Sequence, residues 1–259
     1  MITEKAFAEW GIVFQGSIFV ENFVKPAMLP IGDDNSDRRF APLVNYVLIA
    51  INILVFVLLQ GMGGNEKFTF AYSTVPAEIL TGRDIETGVL EPTPVPVYFT
   101  LITSMFMHGG WAHLLGNMLF LWVFGDNIEN RIGHLRYLIF YLVCGIIASL
   151  SHVFISGASS DIPSLGASGA ISGVLGGYML LFPSRRVRVL MGRGVGEVPA
   201  FVALGIWIVF QIISGMGMLG GDQTGGGVAY AAHIGGFIAG LALIKLFDIG
   251  GRKGAVINR

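Results

Sequence analysis

The sequence has few charged residues and almost no cysteine. Charged side chains make up 13% of the 259 residues, and hydrophobic ones make up 53%. A soluble domain usually carries about 25% charge, so this shortage, with a mean hydropathy of +0.70, argues against a soluble protein and favours a membrane protein. The single cysteine, Cys144, cannot form an intrachain disulfide and is interpreted as a small core residue.

The sequence also lacks the residues that nucleic-acid binding and metal-dependent proteolysis need. A net charge of −1 gives no bulk attraction to nucleic acid, so no nucleic-acid partner is expected. The histidines form no H-E-x-x-H pair, and carboxylates are scarce in the apolar segments. The sequence therefore predicts no metal and no other cofactor, and it disfavours a metalloprotease.

Long apolar runs fill most of the chain beyond residue 40. A transmembrane helix needs about 20 such residues. Candidate spans that meet or approach this length lie at residues 43–60, 111–128, 136–156, 168–182, 198–216 and 228–247. The pattern predicts an all-α membrane protein, a bundle of six transmembrane helices within residues 41–248. Residues 1–40 are expected to form a cytoplasmic segment, with an interfacial run at 10–20, and residues 249–259 a cytoplasmic tail.

Positively charged residues are concentrated in alternate loops, on one side of the predicted spans. The loops on one side, with the two ends of the chain, hold Arg38, Arg39, Arg131, Arg136, Arg185, Arg186, Arg188, Arg193, Lys245, Arg252, Lys253 and Arg259. The loops on the other side hold only Lys67 and Arg83. By the positive-inside rule this distribution predicts a multi-pass protein of the cell membrane with both termini in the cytoplasm.

The first external loop and the fourth span are irregular. The loop, about residues 61–110, is long, which is typical of functional or disordered loops, and its apolar end, Val97 to Met107, suits the membrane interface. The fourth span, Ser168 to Phe182, measures about 22 Å at 1.5 Å per residue, less than a hydrocarbon core of about 30 Å. The loop before it must then descend into the membrane, so the sequence predicts a wet hollow, open to the outside, with Ser168 at its floor.

Four polar residues lie at the outer ends of the second, fourth and sixth spans: His113, Asn117, Ser168 and His233. Since these spans run in the same direction, the four residues should lie at a similar depth, and polar groups at that depth are candidates for function. Asn45, Asn52 and Gln211, by contrast, are interpreted as residues that bridge helices.

Small residues accompany the serine and the histidine. Gly166, Gly169 and Gly173 surround or follow Ser168, and Gly236 and Gly240 follow His233. Small residues at such spacing let two membrane helices approach closely. If the two faces meet, the imidazole of His233 comes within reach of the Ser168 hydroxyl.

Together these motifs resemble the rhomboid family of intramembrane proteases. The resemblance covers about residues 31–247 and rests on four motifs in order: His113-x-x-x-Asn117, Gly125-x-x-x-Glu129-x-x-x-Gly133, Gly166-x-Ser168-Gly169 and Ala232-His233-x-x-Gly236. The Glu129 motif is also expected to pack helices around a hydrogen-bonded carboxyl group.

The resemblance implies an intramembrane serine endopeptidase without a third acidic residue. Ser168 would be the nucleophile and His233 its base, and an oxyanion site would be formed by His113, Asn117 and the Ser168 backbone N–H. The substrates would be transmembrane proteins cut in or near the lipid bilayer. Among the departures of the chain from the family, one concerns the histidine: family members often carry a tyrosine that stacks on it, and here that position is Ser172.

Two other functions remain open at this point. A non-catalytic rhomboid-like protein that binds membrane clients would keep the fold, although such proteins typically lack the serine or the histidine. A small transporter or channel would be expected to contain internal repeats, and the sequence shows none.

Overall fold

The computed structural model describes residues 29–86, 90–192, 194–219 and 230–249. These residues are mostly helical. The elements in chain order are β1 (Leu29–Asp33), α1 (Leu43–Leu54), α2 (Glu66–Ala71), α3 (Pro76–Thr81), α4 (Thr100–Thr103), α5 (Trp111–Phe120), α6 (Asp126–Ile132), α7 (His134–Ser156), α8 (Ser168–Leu181), β2 (Arg186–Met191), β3 (Gly194–Pro199), α9 (Ala200–Leu219) and α10 (Tyr230–Phe247). The predicted interfacial run at 10–20 and residues 250–259 of the predicted tail lie outside the described residues.

Short irregular helical turns extend several of these helices. A π-helical turn, Val55–Leu59, continues α1, and another, Leu121–Gly125, joins α5 to α6. Turns of 3-10 helix, Val97–Phe99 and Ser104–Phe106, flank α4. The apolar end of the first loop is therefore helical, in a segment too short to span a membrane.

Helix α8 lies at the centre of the fold. Every residue from Gly169 to Tyr178 is buried, and the helix packs chiefly against α7 and α10. Its central position follows from its composition, because glycine, alanine and serine at the contact positions let neighbouring backbones approach closely. The large buried side chains around it include Phe124, Phe140 and Tyr141.

Each predicted span is mostly helical in the structure, except that residues 198 and 199 of the fifth span belong to β3. Residues 228 and 229 of the sixth span lie outside the described residues. Two helices, His134–Ser156 and Tyr230–Phe247, are long and apolar enough to cross a membrane by length and composition. Helix α8 has 14 residues and is therefore about 21 Å long, as short as the sequence predicts. That all six segments cross a bilayer, and in which orientation, stays a prediction.

A three-stranded antiparallel sheet of order β1-β2-β3 shows that the all-α prediction is wrong in one region. In β2, Val187 and Val189 are fully buried and alternate with the exposed Arg186 and Arg188. Because of its arginines, this segment is predicted from the sequence as a charged loop between two spans. The alternation of buried and exposed residues with period two is instead typical of a strand with one buried face. The sheet ties the segment before α1 to the connection between α8 and α9.

A polar cluster surrounds the carboxyl group of Asp33 near the Leu181 end of α8. Tyr178 Oη and Asn127 Nδ2 donate hydrogen bonds to Asp33 Oδ2 at 2.5 and 2.6 Å. Burial raises the pKa of Asp33 to about 7, although the hydrogen bond from Tyr178 acts in the opposite direction. Arg185 lies beside this group, hydrogen-bonded to Asn127 and paired with Asp37 at 2.6 Å. The cluster thus joins β1, α6 and α8.

The first long loop is attached to the segment that leads into α8. Thr74 and Ser164 exchange two backbone hydrogen bonds, of 2.9 and 2.7 Å, and Gly166 N donates to Ser104 O at 2.8 Å. These contacts hold the turn before Ser168 from one side. The long loop therefore helps to fix the position of Ser168.

Candidate active site

Ser168 and His233 are in direct contact. His233 Nε2 lies 2.8 Å from Ser168 Oγ, a distance typical of a hydrogen bond. Ser168 is the first residue of α8 and is partly exposed, and His233 lies in the first turn of α10 and is buried. The structure thus brings together the two residues that the sequence pairs as nucleophile and base.

Glycines set the distance between α8 and α10. A β-carbon at Gly236 would overlap the carbonyl oxygen of Gly169, and one at Gly240 would overlap that of Gly173. At Gly176 the overlap would be with the carbonyl oxygen of Phe237. The two backbones are therefore in contact along several turns, which no larger residue at these positions would permit. This contact places the His233 ring over the start of α8.

The start of α8 offers unpaired backbone N–H groups to the space around Ser168. The first N–H groups of a helix have no partner within the helix and carry a partial positive charge. No side chain caps this end. The Ser172 hydroxyl, one turn later, instead donates to the Ser168 carbonyl oxygen at 2.6 Å. Ser172 therefore makes a hydrogen bond within its own helix, at the position where members of the resembled family often carry a tyrosine that stacks on the histidine.

His113 and Ser168 both lie beside the space that a side chain at Gly166 would occupy. A β-carbon at Gly166 would lie 2.8 Å from His113 Nε2 and 3.7 Å from Ser168 Oγ. Gly166 also has a φ of +122°, which side chains rarely adopt. Because Gly109 N donates to His113 Nδ1 at 3.3 Å, Nδ1 acts as an acceptor and the proton of a neutral ring resides on Nε2. His113 thus presents an N–H donor to the space beside Ser168.

Asn117 is buried and belongs to a polar chain that starts at Gln60, directly after the π-helical turn that continues α1. Its Nδ2 lies 3.0 Å from His108 Nε2. The His108 backbone exchanges two hydrogen bonds with the Gln60 side chain, each 2.9 Å long. The hydrogen bonds described for Asn117 thus lead to His108 and not to Ser168, although the second hydrogen of the amide remains for another acceptor. Neither Gln60 nor His108 belongs to a sequence motif, so the sequence does not predict either residue as part of the site.

Helix α9 supplies the environment of the other ring nitrogen of His233. Gln211 Oε1 lies 2.6 Å from His233 Nδ1. The ring centroids of Trp207 and Tyr230 lie 6.1 and 6.4 Å from that of His233. The interpretation of Gln211 as a residue that bridges helices is correct but incomplete, because its partner is the proposed base itself. Only the polarity of Gln211 within an apolar helix could have indicated this.

Glu129 holds the beginning of α1. Its carboxylate accepts hydrogen bonds from the backbone of Val44 at 2.9 Å and of Asn45 at 2.7 Å, and it is also bonded to His134. These are unpaired N–H groups of the first turn of α1, and an anion stabilises such an end. The buried, hydrogen-bonded carboxyl group expected from the Glu129 motif is present, and its hydrogen-bond partners lie at the start of α1 and at the start of α7.

A small cavity of about 20 Å³ adjoins Ser168, which is room for about one water molecule. Its lining includes the hydroxyl-bearing residues Ser104, Ser149 and Ser164 together with Met105 and Ala232. Polar and apolar groups share this lining, so a bound water would find hydrogen-bond partners. Among the described residues, no group of three or more His, Cys, Asp or Glu side chains is placed to hold a metal ion.

Comparison with known proteins agrees with the resemblance in the motifs. The family model described as the Rhomboid domain matches residues 96–248. The chain is 32% identical over 206 residues to the rhomboid protease GluP of Bacillus subtilis, which covers 78% of this chain and 35% of that protein. It is 30% identical over 199 residues to the mitochondrial rhomboid protein 1 of Saccharomyces cerevisiae, which covers 76% of this chain and 51% of that protein.

These relatives are longer than the part that they share with the chain. The chain covers about a third of the first and about half of the second. The matched part nevertheless includes most of the helices and all four residues of the candidate site. The family model alone covers more than half of the chain, and the chain therefore belongs to the rhomboid family.

Proposed function

We propose that the protein is an intramembrane serine endopeptidase that cuts transmembrane proteins in or near the bilayer. The observation that carries the proposal is the 2.8 Å contact between His233 Nε2 and Ser168 Oγ. A serine hydroxyl is a weak nucleophile, and an adjacent imidazole that accepts its proton is the usual means of activating it. The similarity to proteins named as proteases, such as the rhomboid protease GluP, supports this activity.

In the proposed reaction the Ser168 oxygen attacks the carbonyl carbon of the scissile peptide bond. His233 Nε2 takes the hydroxyl proton and then gives it to the leaving amine, which departs and leaves an acyl-serine. A water molecule gives a proton to the same imidazole and attacks the ester. As the acyl–oxygen bond breaks, the imidazolium returns that proton to the Ser168 oxygen, which releases the acid product and restores the free serine and the neutral histidine. The cavity beside Ser168 is large enough to hold such a water.

The negative charge that develops on the carbonyl oxygen needs donors beside Ser168. The proposed donors are the Ser168 backbone N–H, the Nε2–H of His113 and the Asn117 amide. The His113 nitrogen and the Ser168 hydroxyl border the same space above Gly166, and the start of α8 adds its partial positive charge. A preorganised set of this kind is usually the largest single contribution to catalysis.

The location of the site fits a substrate that enters from the membrane. Helix α8 is about 21 Å long, so its first residue would lie below the surface of a bilayer whose core is about 30 Å thick. We propose that the protein spans the cell membrane several times, with both termini in the cytoplasm. Substrate helices that unwind easily would present their peptide bonds at this depth.

The test is cleavage of a reporter by the purified full-length protein in liposomes. A reporter with one transmembrane segment should yield two fragments with the wild-type protein and none with Ser168→Ala or His233→Ala. Ser172→Ala serves as the matched control, because it removes a hydroxyl one turn along the same helix, and it should still cut. If the wild-type protein binds the reporter and never cuts it, the protein is a non-catalytic client-binding member of the family.

A further inference from the structure

His233 Nδ1 has one hydrogen-bond partner described in the structure, the Gln211 side chain. Gln211 Oε1 lies 2.6 Å from Nδ1, and the remaining neighbours of the ring include Trp207 and Tyr230, which contact it through their rings. No carboxylate takes part in a hydrogen bond described for His233. The group that decides which nitrogen of His233 carries the proton is therefore the Gln211 amide.

The orientation of that amide determines whether His233 can act as a base. If Oε1 faces Nδ1, the proton resides on Nδ1, and Nε2 presents a lone pair to the Ser168 hydroxyl. If the amide NH₂ group faced Nδ1, the proton would reside on Nε2, and the ring could not accept a proton from Ser168. Only the first arrangement satisfies both contacts of the ring as the proposed reaction requires.

Gln211 is an unusual residue in its helix. Its neighbours Phe210 and Ile213 are each 60% exposed on the apolar outer face of α9, whereas Gln211 is 8% exposed and faces α10. Burial of an amide in an apolar environment is unfavourable unless it is hydrogen-bonded, and the bond to His233 supplies a partner. Trp207 lies one helical turn earlier, on the same face. Helix α9 thus presents both a ring contact and a hydrogen bond to His233.

From these contacts we infer that Gln211 is a positioning residue for the proposed base. It accepts the Nδ1–H hydrogen bond, holds His233 in the tautomer with a free Nε2, and so takes the place of the acidic residue of a triad and of the tyrosine absent at Ser172. The inference rests on the proposed function for its catalytic meaning, but the tautomer itself can be measured without any substrate. It also makes the position of α9 a condition for an active His233.

The direct test is nitrogen NMR of the full-length protein in lipid nanodiscs, with ¹⁵N-labelled histidine. His233→Ala identifies the His233 signals by their loss. In the wild-type protein Nδ1 should be protonated and Nε2 unprotonated, and Gln211→Leu should produce a mixture of tautomers. Ser214→Ala is the matched control, because it removes a hydroxyl from the same helix less than one turn away, and it should leave the His233 signals unchanged.

The kinetic test compares Gln211→Leu and Gln211→Glu in the reporter assay. Gln211→Leu should lower kcat on the order of ten-fold, the usual size of one lost hydrogen bond, with little change in KM and no loss in Ser214→Ala. Gln211→Glu keeps an acceptor oxygen at the same reach, so it should cut faster than Gln211→Leu. Its carboxylate stabilises an imidazolium, which should move the acidic limb of the pH–rate profile to higher pH. His113, His152 and Tyr230, the other titratable neighbours of His233, are unchanged in both variants.

The outcomes separate this inference from the proposed function. A proton on Nε2 in the wild-type protein, or the same single tautomer in wild type and Gln211→Leu, would overturn the inference even if the protein cuts its reporter. Equal kcat values for Gln211→Leu and wild type would do the same. If the tautomer changes as expected but the wild-type protein cuts nothing, Gln211 positions the ring as inferred and the proposed protease function fails.

Discussion

The two ends of α8 are held in different ways. At the Ser168 end, backbone meets backbone, because glycines on α8 and α10 leave no room for side chains between the helices. At the Leu181 end, side chains hold the helix through the hydrogen bonds of Tyr178 and Asn127 to Asp33 and the nearby Arg185. The same helix is thus fixed by close packing at one end and by a polar network at the other.

The two kinds of contact suit different roles, catalysis at the Ser168 end of α8 and stability at the Leu181 end. A polar network that is fully satisfied gives rigidity, but it occupies the donors and acceptors that form it. Close packing of glycine backbones fixes a distance and leaves the Ser168 hydroxyl, the His233 ring and the free N–H groups of α8 available for chemistry. Changes at the Ser168 end should therefore alter activity, and changes at the Leu181 end should alter stability.

The largest effect is expected for Gly236→Val. The new side chain would overlap the Gly169 carbonyl and push α10 away from α8, and a displacement of about 1 Å in a catalytic group can cost about 100-fold in rate. The reporter assay should therefore show a loss of at least about that size. Gly205→Val on α9 is the matched control, since a β-carbon there meets nothing within 4 Å. An active Gly236→Val protein would show that contact between these helices is not needed.

Asn117→Ala should reduce kcat on the order of 100-fold without abolishing cleavage. Loss of one oxyanion donor has an effect of this order in a soluble serine protease, and Ser168 and His233 keep their contact. Leu115→Ala, on the same helix at a position that is 61% exposed, controls for truncation of a side chain on α5. Turnover by Asn117→Ala at the wild-type rate would remove Asn117 from the oxyanion site.

Gly166→Ala should reduce cleavage on the order of ten-fold. The added methyl group would lie 2.7 Å from His113 Cε1, so the ring must shift, and the left-handed backbone becomes strained at about 1–2 kcal/mol. Gly157→Ala separates the two causes, because Gly157 also has a positive φ, +80°, but has open space around it. If both variants lose the same activity, backbone strain explains the effect and His113 does not.

The sequence predicted the residues of the site better than their surroundings. Two sequence features predicted that His233 and Ser168 would meet: their similar depth at the outer ends of their spans, and the spacing of the glycines near them. Spacing predicts contact because residues three or four apart in a helix lie on the same face. Gln60 and His108 were not predicted, because Gln60 is the last residue of the first predicted span, His108 lies in the long first loop, and no periodic pattern in the sequence indicates that they contact each other. For Gln211 the sequence predicted a bridge to another helix but not its partner His233, because the apolar sequence of α9 does not indicate which residue of α10 it faces.

The helices could be predicted from the length of their apolar runs. The sheet could not, because charged residues interrupt the apolar residues of its strands. The helices follow from long apolar runs, because a helix satisfies every backbone hydrogen bond within one segment, as an apolar environment requires. The sheet was missed because the strand β2 is short and its buried face consists of Val187 and Val189 alone, between arginines. Its partner β1 contains Pro30 and Gly32, both unfavourable in strands.

At the Leu181 end, Tyr178→Phe should lower stability and spare activity. The variant removes one donor to a buried acceptor, which is worth about 1–3 kcal/mol, while Asn127 still donates to Asp33. Thermal unfolding in detergent should show a lower Tm, and reporter cleavage below that temperature should match the wild type. A loss of cleavage in a folded Tyr178→Phe protein would mean that the two ends of α8 are coupled.

The smallest effect is a change in the pH dependence of stability in Asp33→Asn. The pKa of Asp33 is raised from 3.8 to about 7 by burial, so between these values the folded protein binds a proton that the unfolded chain has released. Stability from this group is therefore present at low pH and is lost as pH rises through about 7. Asn mimics the protonated acid, and the Tm advantage of the variant over wild type should grow as pH rises from about 5 to 8.

Asp34→Asn is the matched control for this measurement. The pKa of Asp34 is lowered, chiefly because the Ser36 backbone N–H donates to its carboxylate. The stability that it contributes is lost only as pH falls below the usual range of an aspartate, so the Tm difference between Asp34→Asn and wild type should be constant from about pH 5 to 8. Of the charged groups that act on Asp33, Asp126 and Arg185 are the same in both variants, and Asp34, which has the smallest effect of the three, is removed only in the control. A constant difference for Asp33→Asn as well would mean that Asp33 is ionised in the folded protein, and that its end of α8 is held by charge pairing with Arg185.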